Sequence, residues 1–274
     1  MGVLYVVPTP IGNLEDITLR ALRVLREVSL IAAEDTRRTR VLLRHYDIDT
    51  PLLSYHDHNE ARRVAELLQA LTQGDVALVS DAGMPTLADP GHELLRAALA
   101  EGLRVEVLPG PDALTTALVG SGLPSDSFIW LGFLPVKARA RSQLLASLRH
   151  ERRTLLACEN PQRLLTTLAD IRDALGERPL VVARELSKLH EEYLRGTVSE
   201  VLGQLETQGP RGEIMLVIGG AEEAEVWEAE LVRAALRERQ AAGEPLGSAA
   251  RAVAEVSGWK RRAVYALGLE GRAG

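Results

Sequence analysis

Residues 76–79, Val-Ala-Leu-Val, are an unbroken apolar run that stops abruptly at Ser80-Asp81-Ala82-Gly83-Met84-Pro85. A short apolar run closed by turn formers reads as a strand buried on both faces, the mark of a parallel sheet. Asp81 brings a carboxylate to the strand end, Gly83 a permissive backbone position, and Pro85 and Pro90 stiffen the path to Gly91. The arrangement recurs. Residues 3–7 end in Pro8-Thr9-Pro10-Ile11-Gly12-Asn13, residues 30–33 in Glu34-Asp35-Thr36-Arg37, and residues 105–108 in Pro109-Gly110-Pro111-Asp112-Ala113. Segments with apolar residues at helical spacing separate them, at 19–28, 61–71 and 92–99. Such alternation predicts an α/β fold with a mostly parallel sheet covered by helices on both faces. The four polar loops then gather at one edge, where open sheets of this kind bind ligands.

Gly120-Ser121-Gly122-Leu123-Pro124-Ser125 punctuates the chain and predicts a domain boundary. Beyond it, strands are expected at 129–131, 154–158, 180–183 and 214–218, with helices at 139–148, 161–175 and 198–205. The expected organisation is an N-terminal α/β domain over 1–120, a second α/β domain over 121–220, and a helical appendage over 221–274. In the appendage a small-residue helix over 245–256 turns at Ser257-Gly258 into the basic segment 259–265. That is the pattern of a helix-turn-helix unit, or equally of a hairpin that caps the second domain.

Composition excludes several classes. No apolar run reaches the ~18 residues needed to cross a bilayer, and the chain opens on a strand-like segment, so neither membrane nor leader is expected. Cys158 is the single cysteine, which rules out an internal disulfide and a multi-cysteine metal site. No HExxH or clustered His/Cys set suggests metal. A cytoplasmic protein is the simplest reading. The chain has no GxGxxG after a strand and no GxxxxGK[ST], so the loops are expected to form a rigid polar pocket, not a phosphate cradle. The formal net charge is −6, yet residues 136–153 carry six Lys or Arg (Lys137, Arg139, Arg141, Arg149, Arg152, Arg153) against one acid, Glu151. A basic face of this kind can hold phosphates even on an acidic protein.

The segments VVPTPIGNLEDITLRAL, AAEDTRRTRVLLRHY, SDAGMPTLADPG, LPGPDALTTAL, GLPSDSFIWLGFLPVK, ENPQRL, ARELSKLHEE and RGEIMLVI follow one another in this order from residue 6 to residue 218. Together they resemble the tetrapyrrole-methylase-like (class III) methyltransferases. PTPIGNL, AEDTR and GFLP point to the branch that methylates a cytidine ribose 2′-hydroxyl in small-subunit (16S) ribosomal RNA. Porphyrin and corrin methylases begin instead with a Gly-Pro-Gly-type loop, absent here. One departure is Gln162, where the family usually carries a His in Glu-x-Pro-His-Arg-Leu; a histidine there is not required by this chain.

The resemblance implies two α/β domains with S-adenosyl-L-methionine in the cleft between them. It assigns cofactor contacts to Pro10, Asp81, Gly83, Met84, Thr115, Thr116, Glu159, Asn160, Ala183, Gly212 and Glu213. It also implies a homodimer, 16S rRNA or the assembled small subunit as partner, and no metal. A ribose hydroxyl is a poor nucleophile until its proton leaves, so a base within hydrogen-bond reach is expected. Glu34 and Asp35, beside Arg37, are the leading candidates, with Asp81 and Glu159 behind them. The Glu34-Asp35 pair can instead cap a helix and pair with arginines, and Arg37, Arg38 and Arg40 can position RNA phosphates. The readings that compete with RNA methylation are methylation of a small tetrapyrrole and a non-catalytic RNA-binding assembly factor.

Overall fold

The computed structural model of the chain describes residues 2–222 and 227–270. Residues 223–226 and 271–274 of the expected appendage lie outside the described residues. The chain divides into two compact units, Met1–Ala221 and Glu222–Gly274.

The first unit begins with β1 (Val3–Val6), α1 (Leu19–Glu27), β2 (Leu30–Ala33), α2 (Thr36–His45), β3 (Leu52–Ser54), α3 (Glu60–Gln73), β4 (Val76–Val79), α4 (His92–Ala100), β5 (Arg104–Val107) and α5 (Ala113–Ser121). The five strands are all parallel, in the order β3-β2-β4-β1-β5. A parallel sheet must be covered on both faces, and two separate cores do this. One packs Ala21, Leu25, Leu42 and Leu43 of α1 and α2 over Ile31, Ala33, Ala77 and Val79. The other packs Leu67, Leu71, Leu94 and Ala98 of α3 and α4 over Leu4, Ala32, Val76 and Leu78. Burying one Leu of this kind is worth about 1.5–3 kcal/mol. β3, with three residues and no apolar run, is a strand the sequence pattern does not reveal.

A second sheet follows, from β6 (Phe128–Phe133), α6 (Ala138–Ser147), β7 (Thr154–Glu159), α7 (Leu164–Leu175), β8 (Pro179–Arg184), β9 (Glu192–Thr197), α8 (Val198–Gln208) and β10 (Ile214–Ile218). Its order is β6-β7-β10-β8-β9. Only β6 and β7 are parallel; the remaining pairs are antiparallel. Helices α6, α7 and α8 cover one face through Leu145, Leu168, Ile171, Val201 and Leu205. The opposite face, formed by Leu156, Val181, Ala183, Met215 and Val217, packs against Leu114, Ala117 and Leu118 of α5 and against Ile11 from the loop after β1. Residues of the first half thus form part of the second sheet's core.

Two sequence expectations need correction. Residues 34–40 are not a loop throughout: α2 begins at Thr36, so Arg37, Arg38 and Arg40 ride on its first turns, and Asp35 is its N-cap. Arg141 is not on the basic face of 136–153. It is buried beside Asp170 at 2.6 Å and donates to the Pro135 and Val136 carbonyls at 3.1 and 3.2 Å. It holds the turn into α6 together.

The second unit is helical, as α9 (Ala229–Ala241), α10 (Leu246–Ser257) and α11 (Arg261–Glu270). Val232, Leu236, Ala249, Ala250, Val253, Val264 and Leu267 form its core. Gly258, at φ +70°, ends α10 in a left-handed turn where glycine is favoured.

Candidate active site

β2 and β4 are neighbours, but the chain leaves them in opposite directions: β3 lies on one side of the pair and β5 on the other. A crevice opens at the carboxyl ends of strands with this topology. Here it is bridged by acids. The Asp35 amide donates to Asp81 Oδ1 at 2.9 Å, and the Asp81 amide donates to Glu34 Oε2 at 3.1 Å. Arg38 reaches in from α2, with Nη1 3.3 Å from Asp81 Oδ2. The loop after β1 is tied to the same place by a two-residue bridge, Thr9 N to Gly83 O at 3.0 Å and Gly83 N to Thr9 O at 2.8 Å.

The 80–91 loop is held in an unusual conformation. Thr86 (φ +73°) and Ala88 (φ +70°) are non-glycine residues in the left-handed region, which costs of order 1–3 kcal/mol each and marks a site over-determined by its surroundings. Gly91 is favoured by its φ of +129°, a conformation L side chains rarely adopt. Glu60 anchors the loop's exit. Its Oε1 accepts from the Gly91 and Glu93 amides at 3.1 and 3.3 Å and from the buried Tyr55 hydroxyl at 2.8 Å.

These elements form one side of a cleft of about 420 Å³. Its walls differ in chemistry. The first-sheet side presents Glu34, Arg38, Asp81, Asp89 and Asp112. The second-sheet side presents Trp130, Phe133, Cys158, Leu186, Ile214 and Met215, with Asn160 and Glu213 at its polar margin. Burial pushes Glu34 above the usual carboxylate range; the charges of Asp81 and Asp57 add to this, while the Asp81 amide and Arg38 oppose it. Asp89 is pushed up further, to about 7, by burial and then by the charge of Glu34; Asp81 and Asp57 add to the rise, and a hydrogen bond from Ser80 opposes it. Cys158 is pushed up to about 12 by burial, so its sulfur, 3.3 Å from Met215 Sδ, is a neutral thiol on the apolar wall.

The residues singled out from the sequence fall into distinct groups. Glu34, Asp81, Gly83, Met84, Glu159, Asn160, Gly212 and Glu213 line the cleft. Pro10, Thr115, Thr116 and Ala183 do not: Ala183 is fully buried in the core beside Met215 on the neighbouring strand, and the two threonine hydroxyls donate to Asp112. Asp35 and Arg37 stand outside the lining as well. Asp35 accepts from the Arg37 amide at 2.8 Å and pairs with its guanidinium through both oxygens at 3.0 and 2.7 Å, and this pairing holds its carboxyl far below the usual range. The Glu159 carboxylate is buried, where it accepts from Arg163, from the Asn160 amide at 2.6 Å and from the Thr167 hydroxyl at 2.6 Å. Gly212 (φ +76°) lets the chain pass over Glu185, whose Oε1 accepts from the Glu213 amide at 2.9 Å. Sequence reasoning missed Asp89. Its one signal was its place in Ala88-Asp89-Pro90-Gly91, ten residues after a predicted strand.

A family model for tetrapyrrole (corrin/porphyrin) methylases matches residues 3–202, and a second, for the RsmI C-terminal HTH domain, matches residues 225–272. The protein named ribosomal RNA small subunit methyltransferase I from a Synechocystis species is 48% identical over 274 residues, 98% of each chain. Its namesake from Thermotoga maritima is 52% identical over 223 residues, which is 81% of this chain and 100% of that one. Among solved structures, a cobalt precorrin-4 methyltransferase superposes with a TM-score of 0.61 at 18% identity, covering 79% of this chain and 94% of that one. Uroporphyrin-III C-methyltransferase from Thermus thermophilus, complexed with S-adenyl homocysteine, gives 0.56 at 21% identity, over 80% and 97% of the two chains. At these identities the solved structures share the fold.

Proposed function

The chain belongs to the tetrapyrrole (corrin/porphyrin) methylase family, and from that premise we propose that it methylates the ribose 2′-hydroxyl of a cytidine in 16S ribosomal RNA, using S-adenosyl-L-methionine. The observation that carries the reading is the near full-length identity to ribosomal RNA small subunit methyltransferase I, together with the match over the C-terminal HTH region.

The cleft fits the cofactor on chemical grounds. A sulfonium cation suits a wall of carboxylates, and an adenine ring suits Trp130, Met215 and a neutral Cys158. When bound, S-adenosyl-L-methionine supplies an electrophilic methyl group. Asp81, Gly83, Met84, Glu159, Asn160, Gly212 and Glu213 would hold it, with Pro10, Thr115, Thr116 and Ala183 supporting those contacts from behind. In this reading, domains over 1–120 and 121–220 each carry one sheet and close the site between them, and the helical segment over 221–274 adds RNA contact.

The chain's own chemical task is to align the ribose and to take its proton. We assign the proton to Asp89. It faces the cleft, no cation among the described residues is paired with it, and its carboxyl titrates near neutrality. Glu34 and Asp81 hold the crevice open around it. Asp35 and Arg37 fix the start of α2, and Arg38 and Arg40 meet the RNA backbone. The working form is a homodimer in the cytoplasm, where small subunits are assembled.

The test is transfer of tritiated methyl from S-adenosyl-L-methionine to purified small subunits and to naked 16S rRNA, followed by digestion to nucleosides. Label in 2′-O-methylcytidine is the expected result. Cofactor binding without label in either RNA overturns the reading and favours a small tetrapyrrole substrate.

A further inference from the structure

Phe133 is 60% exposed and lines the mouth of the cleft. The chain has only two phenylalanines, so leaving one largely in solvent beside the site calls for a physical explanation. The explanation begins in the strand. β6 pairs with β7 in parallel register up to Trp130 opposite Leu156, and the register then shifts so that Phe133 lies opposite Cys158. Three steps on β6 thus match two on β7, which is a β-bulge. Gly132 supplies it at φ +64°, with nothing within 4 Å of where a Cβ would stand. The glycine is therefore there for its backbone conformation, not for space. Because side chains alternate across a sheet, a one-residue slip moves every later residue to the other face. Without the bulge Gly132 would pair with Cys158, and Phe133 would point into the core under α6 and α7. With it, Phe133 shares the cleft face with Trp130 and Cys158.

The surroundings of the ring carry both apolar surface and charge. Leu87, 42% exposed, lines the same cleft from the first-sheet side. Lys137 and Arg139, both exposed, follow Phe133 within six residues, and Arg38 lines the cleft from α2. An exposed aromatic ring flanked by cations is how proteins hold an unpaired nucleotide: the base stacks on the ring and the cations meet its phosphates. Selective recognition of RNA falls on unpaired nucleotides, whose unstacked bases are free to lie on such a ring.

We propose that Phe133 is the stacking platform for the base of the nucleotide whose ribose enters the cleft, set there by the Gly132 bulge. The inference rests on the RNA reading above. Its test is label transfer to small subunits over a range of subunit concentrations, for the wild type and for Phe133→Ala, Phe133→Leu and Phe133→Trp, with calorimetric binding of S-adenosyl-L-methionine alongside. Loss of one stacked base is worth ~1–3 kcal/mol, so Phe133→Ala should lower kcat/KM for subunits by about 5-fold to 150-fold. Phe133→Trp should restore it to within about threefold, Phe133→Leu should not, and cofactor affinity should hold within about twofold throughout. Full activity in Phe133→Leu would mean that the ring acts as mere apolar surface, and a weakened cofactor would mean that it serves the adenine; either overturns the proposal. A wild type that binds cofactor but labels no RNA overturns the substrate reading and this inference with it, a result that no comparison among variants can produce.

Discussion

Both sheets end strands in acids, but they treat them in opposite ways. On the second sheet such acids have cations of their own: Glu159, at the end of β7, is held by Arg163 and by the Thr167 hydroxyl, Glu185, after β8, pairs with Lys188, and Glu192, at the start of β9, pairs with the fully buried Arg184. On the first sheet Glu34, Asp81 and Asp89 share one cation in the cleft lining, Arg38, which is engaged by Asp81. Burial does not separate the two groups, since Glu192 and Asp81 are both partly buried. Charge balance does. A neutralised acid is scaffold, whereas burial and like charge with too few cations push Glu34 above the usual carboxylate range and Asp89 up to about 7, where it can trade its proton.

The largest effect expected from this contrast is structural. Glu159→Gln leaves Arg163 without a counter-ion against the core, and removing one partner of a buried pair costs about 3–5 kcal/mol. Urea unfolding should show this as a lowered midpoint at unchanged slope. A loss below about 1 kcal/mol would break the comparison at its scaffold end.

Asp89→Asn should do the reverse, sparing the fold and removing chemistry. Its single-turnover rate on small subunits should fall by about 100-fold or more. The wild-type rate should climb with pH through about 7 as Asp89 loses its proton, and the variant should lack that limb. The same group gives a stability signature. Folding raises the Asp89 pKa from an ordinary 3.8 to about 7, so the native state binds the proton more tightly than the unfolded chain. The resulting stabilisation is complete in acid below the lower value and is lost as pH rises through the upper one. Asp89→Asn should therefore melt higher than wild type at pH ~8 and lose that advantage at pH ~4. Equal differences in Tm at the two pH values would show that Asp89 is not held protonated by the fold.

Arg38→Gln sharpens the comparison on a smaller scale. It removes the cation that lowers Glu34, so the Glu34 carboxyl, followed by carbon NMR, should titrate at still higher pH. The smallest effect is expected from Asp35→Asn. Asparagine caps helices about as well as aspartate, and the Arg37 pair it loses is solvent-exposed. The activity limb near pH 7 should therefore stay where the wild type has it; a displaced limb would make Asp35 part of the titrating group.

The strands that were legible were those whose burial wrote itself into composition. β1, β2, β4 and β10 are apolar on both faces and end at turn formers. β9, Glu192–Thr197, was not legible: it is an edge strand with one buried residue, Leu194, among charged and polar ones. The start of α2 was obscured because Thr36, Arg37, Arg38 and Thr39 precede its apolar residues, and the capping carboxylate of Asp35 looks the same in sequence as a catalytic one. In the site, Glu34, Asp81 and the glycines could be found at strand ends. Asp89 could not be told apart from an ordinary loop acid, since its loop is shaped by left-handed Thr86 and Ala88, residue types that give no sign of that conformation.

The sequence by itself thus determined the alternation of strands and helices, the edge at which the polar loops gather, and the family. These follow from local apolar patterning and short motifs, each contained within a few residues. The tertiary structure alone decided which acids are free. The Glu34 carboxylate meets the Asp81 amide 47 positions away, and the cleft brings Asp89 into the field of Glu34, Asp57 and Asp81, which the chain delivers from three different strand ends. A carboxyl group's proton affinity is set by the charges and solvent within a few ångströms of it, and which charges those are is fixed only when the sheet order brings distant loops together.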